Sequence, residues 1–231
     1  MRIVGLVPAR GGSKGIPRKN LKLIDGKSLV SIKIAQAKAS QCNEIWVSTE
    51  DPEIASIAMQ DGAKIIERPM ALAEDDTSTD DMLIHAAETL KLDSSDCIIL
   101  LQPTSPLLRL SSVNKCIEML LANHKLSSAI TLRHAHPFMW EETEFMNWNP
   151  SGHSRKVRPR RQELSPSGYE TGGCYAIRVK SLYEQGVRYP EPTGAVSVNH
   201  LEAIDIDTLE DLSLASAIFG LLNSTAEDRI F

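Results

Sequence analysis

The sequence predicts an α/β fold in which a mostly parallel sheet is flanked by helices. Two observations carry this expectation. Short apolar runs alternate along the first half of the chain with segments of helical periodicity, and only a few polar or turn-forming residues join them. Alternation of this kind implies right-handed crossovers, hence parallel strands with helices on both faces. The chain has 231 residues, 42% hydrophobic and 24% charged, which is enough to bury the core such a sheet requires.

Residues 2–8 form an apolar run of the length of a buried strand. Residues 28–40 place Leu29, Ile32, Ala35 and Ala39 on one helical face. A second strand is expected at 44–48. It is followed by a helix at 53–61, with Ile54, Ile57 and Ala58 on one face and Gly62 placed as its C-cap. A short strand at 64–67 precedes a helix at 79–90, entered through the cap-forming cluster 75–78. Residues 96–101 read as a fully apolar strand, 113–122 as a helix and 128–132 as a strand. The pattern breaks between 133 and 172, a polar stretch with Pro137, Pro150, Pro159 and Pro166 and two of the three tryptophans. That length without clear periodicity exceeds a simple connector and marks a functional segment, an interaction arm or both. Strands are expected again at 174–179 and 201–207, and a closing helix at 209–222. Ligands on such sheets bind beyond the carboxyl ends of the strands, so loops 8–20 and 102–110 share one functional edge, with 48–51 nearby.

No apolar run approaches the roughly 20 residues that span a bilayer. The N-terminal residues lack the features of a secretory signal, so a cytoplasmic location is expected. Cys42, Cys97, Cys116 and Cys174 form no close-spaced metal or redox motif, and no disulfides are expected. The net charge is −5, but it is unevenly spread. Residues 10–22 hold five cations and no acid, residues 155–161 hold five more, and the remainder carries 15 cations against 30 acids. A general nucleic-acid binder is usually basic overall. Two cationic patches on an acidic body fit a small polyanion such as a nucleoside triphosphate.

The first patch lies in VPARGGSKGIPRKN (7–20). Gly11, Gly12 and Gly15 let the backbone turn and present N–H groups, and Arg10, Lys14 and Lys19 stand beside them. The loop matches neither the Walker pattern nor GxGxxG, so by itself it is a weak signal for a phosphate cradle, with a flexible connector as the lesser alternative. Asp205 and Asp207 alternate with Ile204 and Ile206, so in an extended segment both carboxylates face one way and both isoleucines the other. Two hard oxygen ligands on one face suit magnesium shared with phosphates; the alternative is Asp207 as the cap of the closing helix. Gln102 ends an apolar strand, as either a ligand-edge amide or a turn residue before Pro103. Arg160 and Arg161 suit bidentate binding of carboxylate or phosphate.

Taken together, ARGGSKGIPRKN (9–20), WVSTEDPEIA (46–55), LLQPTSPL (100–107), RPRRQ (158–162), YETGGCYAIR (169–178) and IDIDTLEDL (204–212) closely resemble the acylneuraminate cytidylyltransferases, or CMP-sialic acid synthetases, in order and spacing. The resemblance covers about residues 2–222. It implies a single Rossmann-like nucleotidyltransferase domain over 1–231 with a dimerisation and active-site arm at 133–170. The implied reaction joins CTP to a nine-carbon acidic sugar of the sialic acid type and releases pyrophosphate. By the same resemblance, Arg10, Ser13, Lys14, Lys19 and Asn20 hold cytidine and phosphates, and Arg68 approaches the cytosine. Gln102 bonds the sugar, Tyr175 helps line its pocket, and Arg161 meets the sugar carboxylate or a phosphate. Asp205 and Asp207 hold Mg2+. Lys19, Arg161 and Asp207 are the residues expected to carry catalysis. The implied assembly is a homodimer, with neither nucleic acid nor membrane as partner. The chain departs from the family at Thr171, where asparagine is usual, and at Met139, where a cation is often found. Those departures leave N-acetylneuraminate, KDN and legionaminate open as the sugar. A cytidylyltransferase for KDO or another acidic sugar and a catalytically silent nucleotide-binding protein of the same fold are the alternatives.

Overall fold

The computed structural model describes residues 1–74, 76–135, 138–151, 154–157, 159–163 and 167–224, without the side chains of Arg161, Asn223 and Ser224. The chain opens with β1 (Ile3–Pro8) and crosses the glycine loop into a small hairpin of β2 (Leu23–Ile24) and β3 (Lys27–Ser28). Next comes α1 (Leu29–Ala39), where Ser28 accepts the Ser31 N–H as N-cap. It is followed by β4 (Glu44–Thr49) and α2 (Pro52–Gln60). Asp51 caps α2 by accepting the Glu53 and Ile54 N–H groups, and Pro52 stands in the first turn, where a missing N–H costs no helical bond. Then β5 (Lys64–Glu67), α3 (Thr79–Thr89), β6 (Cys97–Leu101), α4 (Leu110–Ala122) and β7 (Ser128–Ala135) alternate, as the periodicity predicts. The chain continues through β8 (Trp140–Glu144), β9 (Asn147–Pro150), β10 (Ser167–Arg178), α5 (Val179–Gln185), β11 (Thr193–Ser197) and α6 (Leu209–Ser224).

Seven strands form one sheet in the order β11-β7-β10-β6-β1-β4-β5. The pairs β1–β4, β1–β6, β4–β5 and β7–β11 are parallel, and β10 runs antiparallel to both its neighbours. Alternate residues of the central strands feed two cores. Val7, Ile99, Leu101 and Cys174 pack with Val30 and Ile34 of α1, Ile54 of α2 and Val113 and Ile117 of α4. Val4, Leu6, Ile98, Leu100, Tyr175 and Ile177 pack with Met82, Leu83 and Ala86 of α3 and Leu182 of α5. A third cluster joins Ala215 and Phe219 of α6 to Leu29 and Ile32 of α1, with Ile16, Leu107 and Ile206 between them. That third cluster ties the glycine loop, the loop after β6 and the segment before α6 to one apolar base.

Two expectations need correction, and one strand was not foreseen. Residues 201–207 are not a strand: they hold a turn and then an extended segment without a ladder, and the Ile206 N–H goes to the Thr104 carbonyl at 2.8 Å. The alternation there was right about extended backbone and wrong about its partner, which is a loop. The strand beside β7 is instead β11, whose sequence TGAVS has too little apolar alternation to announce itself. The stretch from 133 is also more regular than its pattern implies. Its first residues extend β7, whose Ala135 pairs with Ser167 at the start of β10, and β8 and β9 form a hairpin. His136, Pro137, Arg158 and Pro166 lie outside the described residues.

Candidate active site

A cleft of about 400 Å³ opens at the carboxyl edge of the sheet, with Pro8, Arg68 and Gln102 at the ends of β1, β5 and β6 in its floor. It brings Arg10, Ser13, Lys14, Lys19, Asn20, Arg68, Gln102, Asp205 and Asp207 to one surface. Sequence separations of almost 200 residues thus close to hydrogen-bond distance. Lys19 Nζ donates to Asp207 Oδ1 at 3.0 Å and to the Ile206 carbonyl at 2.7 Å.

The glycine loop is braced by its own polar groups. Buried Asn20 donates from Nδ2 to the Arg10 carbonyl at 2.9 Å, closing the loop across ten residues. Arg10 Nη1 donates to the carbonyls of Ala73 and Glu74 at 3.2 and 3.1 Å. The Gly11 N–H, expected to face a ligand, donates instead to Glu50 Oε1 at 2.7 Å, while Glu50 Oε2 is buried without a partner. Arg18 turns away to Glu53 and Asp51, at 2.8 and 3.2 Å, so this loop cation serves the start of α2. Gly15 is required by close approach: a Cβ there would sit 2.6 Å from the Asp207 carbonyl oxygen.

Arg68 is buried beneath the cleft, with Nε on Ser48 Oγ at 3.1 Å and Nη2 on the Ser48 carbonyl at 2.8 Å. Burial lowers its pKa to about 10, with the nearby Arg10 charge acting the same way and Glu50 opposing, so it remains a cation at neutral pH. Gln102 faces Gly172, whose φ of +71° favours glycine and where a Cβ would stand 2.8 Å from the Gln102 amide oxygen.

Asp205 and Asp207 both reach the cleft while Ile206 between them is fully buried. Asp205 Oδ1 accepts from Ser105 Oγ at 3.3 Å. Burial raises the Asp205 pKa and the Asp207 charge raises it further, against bonds from Thr104 and Ser105 and the Lys19 charge. The helix-cap alternative for Asp207 does not hold. Asp211 Oδ2 accepts the Asp207 and Thr208 N–H groups at 3.1 and 2.8 Å, and Thr208 Oγ1 accepts the Asp211 N–H at 3.2 Å. Thr208 and Asp211 therefore cap α6 as a reciprocal box, leaving the Asp207 carboxylate to the cleft. Among the described residues, no three His, Cys, Asp or Glu side chains cluster as a complete cage for a metal ion. Two carboxylates on one wall, one of them held back from ionising chiefly by burial, are chemically suited to a hard cation that completes its shell with water and phosphate oxygens.

Two expected residues are not placed in this cleft. Tyr175 is not among its lining residues: it points into the core beneath α3 and α5, and its hydroxyl donates to Glu170. Its strand position was read correctly; the pocket role was implied by the resemblance alone, and the register of β10 on β6 and β7 turns the side chain to the core face. Arg161 begins a turn of 3-10 helix, Arg161–Glu163, and its side chain lies outside the described residues. Sequence reasoning missed the wall made by Leu72, Glu74, Thr77, Ser78 and Thr79, which brings the N-terminus of α3 to the cleft. The signal was the cap cluster itself, since a helix N-terminus presents unpaired N–H groups and favours anions. Glu50 and Ser105, inside recognised motifs, were also missed.

Comparison with known proteins adds three findings. A family model described as cytidylyltransferase matches residues 4–147. The chain is 33% identical over 222 residues to N-acylneuraminate cytidylyltransferase A of Danio rerio, covering 92% of this chain and 50% of that one. It is 31% identical over 236 residues to the CMP-N,N'-diacetyllegionaminic acid synthase of Legionella pneumophila, covering 96% and 97%. The chain thus spans half the length of the first relative and almost all of the second. Among solved structures, CMP:2-keto-3-deoxy-manno-octonic acid synthetase complexed with CTP superposes with a TM-score of 0.70 at 20% identity, covering 96% of this chain and 99% of that one, a likeness of fold.

Proposed function

Because the chain belongs to the cytidylyltransferase family, we propose that it joins CTP to a sialic-acid-type nonulosonate, giving the CMP-sugar and pyrophosphate. The observation that carries this reading is the convergence of the loop cations, Gln102 and the Asp205–Asp207 pair on one cleft at the strand edge. The two relatives named for nonulosonate chemistry match it over 92% and 96% of the chain.

In this reading Arg10, Ser13, Lys14 and Lys19 hold the triphosphate, with Asn20 and Arg68 on the cytidine side and Gln102 on the sugar. The anomeric hydroxyl oxygen of the sugar attacks the α-phosphorus, the bond to the β-phosphate oxygen breaks, pyrophosphate leaves, and the hydroxyl proton is released to solvent. Fixed cations and dipoles around the phosphates align the reactants and stabilise charge without reorganising. Asp205 and Asp207 would hold Mg2+, which when bound neutralises charge on the phosphate oxygens. Arg161 is assigned to the sugar carboxylate or a phosphate. The active form is proposed to be a homodimer built through 133–170, in the cytoplasm, where the four free thiols fit a reducing compartment. No helix among the described residues is long and apolar enough to cross a membrane.

Pyrophosphate release with CTP over N-acetylneuraminate, KDN, legionaminate and KDO tests the reading. Turnover with a nine-carbon acid, and far slower turnover with ATP or GTP, is expected. Turnover on KDO alone would move the assignment to the eight-carbon sugar. Tight CTP binding with no turnover on any sugar would make the chain a silent nucleotide-binding protein.

A further inference from the structure

Lys33 lies on α1 with none of its surface exposed. Its Nζ donates to the Ser105 carbonyl and to Gln36 Oε1, both at 2.8 Å. Gln36, equally buried one turn later, donates from Nε2 to the Leu108 carbonyl. Two adjacent helical side chains therefore grip both ends of the turn 105–108 from behind. On its cleft side the same turn is tied to the paired aspartates. Ser105 Oγ donates to Asp205 Oδ1 at 3.3 Å, and the Thr104 carbonyl accepts the Ile206 N–H at 2.8 Å. One chain of contacts runs from Lys33 through Ser105 to Asp205.

Stability does not explain this lysine. Among the described residues Lys33 forms no ion pair, and burying its amine without a carboxylate costs free energy either way, as a desolvated ammonium or as an amine that has given up its proton. An apolar side chain at a core-facing position of α1 would pack there without that cost. Both hydrogen bonds go to groups of fixed direction, which is what placement of a loop needs and core packing does not.

We propose that Lys33, supported by Gln36, is a positioning residue for the transfer reaction, setting the place of Ser105 and through it the orientation of Asp205 in the cleft. The proposal rests on the reading of that cleft as a cytidylyltransferase site. Residues that orient a metal ligand from behind typically change metal affinity or activity by about 10–100-fold when removed.

The test uses the full chain with Lys33→Met and Ser105→Ala, singly and together. It measures kcat, KM for CTP, the melting temperature, and Mn2+ binding followed by electron paramagnetic resonance in the presence of CTP. Lys33→Met is expected to melt no lower than the parent, to lose about 10-fold or more in kcat, and to bind Mn2+ about 10-fold more weakly. The KM for CTP should move by less than about threefold, and the double variant should lose little more than either single one, because both cut one chain of contacts. Parental kcat and Mn2+ affinity in Lys33→Met overturn the proposal. If that variant does not fold, Ser105→Ala decides, and parental values in it overturn the proposal equally. If the parent itself shows no turnover with any sugar, the activity reading fails, and the positioning claim then stands or falls on Mn2+ binding.

Discussion

Asp207 projects with three-quarters of its side chain exposed, yet Lys19 holds one of its oxygens at 3.0 Å. Its carboxylate takes no part in capping α6, which Thr208 and Asp211 do. Removing its charge should therefore cost function and not stability. Asp207→Asn is expected to lower pyrophosphate release on the order of 100-fold while the melting temperature stays within about 1 °C. Parental turnover in Mg2+ would remove the metal role. Lys33 supplies a second prediction at this scale, in pH. Burial lowers its pKa from 10.5 to about 7, against weaker opposing effects of Cys174 and Asp205. Below pH 7 folded and unfolded chains both carry the proton. Between 7 and 10.5 the unfolded chain holds a proton that the folded one has lost, so this group makes stability rise with pH across that window. Denaturant titrations at pH 7, 8.5 and 10 should show a rise in the parent that Lys33→Met lacks; parallel curves would contradict it.

The helices show how far local chemistry reaches. Ser28, Asp51 and Ser78 cap α1, α2 and α3, each accepting backbone N–H groups at the expected start. For α6 the sequence offered Asp207 as a cap only as the alternative to a metal role, and the reciprocal bonds of Thr208 and Asp211 place the cap one residue later. Thr208→Ala removes that cap and should destabilise the protein by about 1 kcal/mol in denaturant unfolding. The Ser78 cap has a second consequence, because Ser78 and Thr79 also line the cleft. By contrast β11 and α5, of five and seven residues, are too short to establish a period. They exist because β7 and β10 offer them a ladder and an apolar face.

At the scale of the molecule, the 140–150 hairpin leaves Trp140, Trp148 and Phe145 facing water, Phe145 at 91% exposure. Aromatic side chains are costly to leave hydrated and are enriched at interface cores. A second copy of the chain is the proposed cover. Light scattering at micromolar concentration should give twice the chain mass of 25.4 kDa. A monomer with full activity would remove the dimer. Mixing Arg161→Ala with Asp207→Asn tests whether the arm completes a partner's site: recovered activity after subunit exchange indicates shared sites, and its absence confines each site to one chain.

The sequence by itself determined the α/β class, the order of the first nine large elements, and most of the cleft. Apolar periodicity, caps and the glycine loop are written in neighbouring residues, and one parallel-sheet topology brings the strand ends to a common edge. The resemblance then named nine residues that meet there. What only the tertiary structure decided concerns contacts between distant segments. The run 201–207 found a loop instead of a strand, Tyr175 took the core face through its register on β6, and the Gly11 N–H went to Glu50. Lys33 looked like any helical lysine until Ser105, 72 positions away, supplied its acceptor. Alternation fixes which residues share a face, but not what that face meets. The partner is chosen by the free energy of the whole packed arrangement, in which a buried donor takes the acceptor that the fold brings within reach.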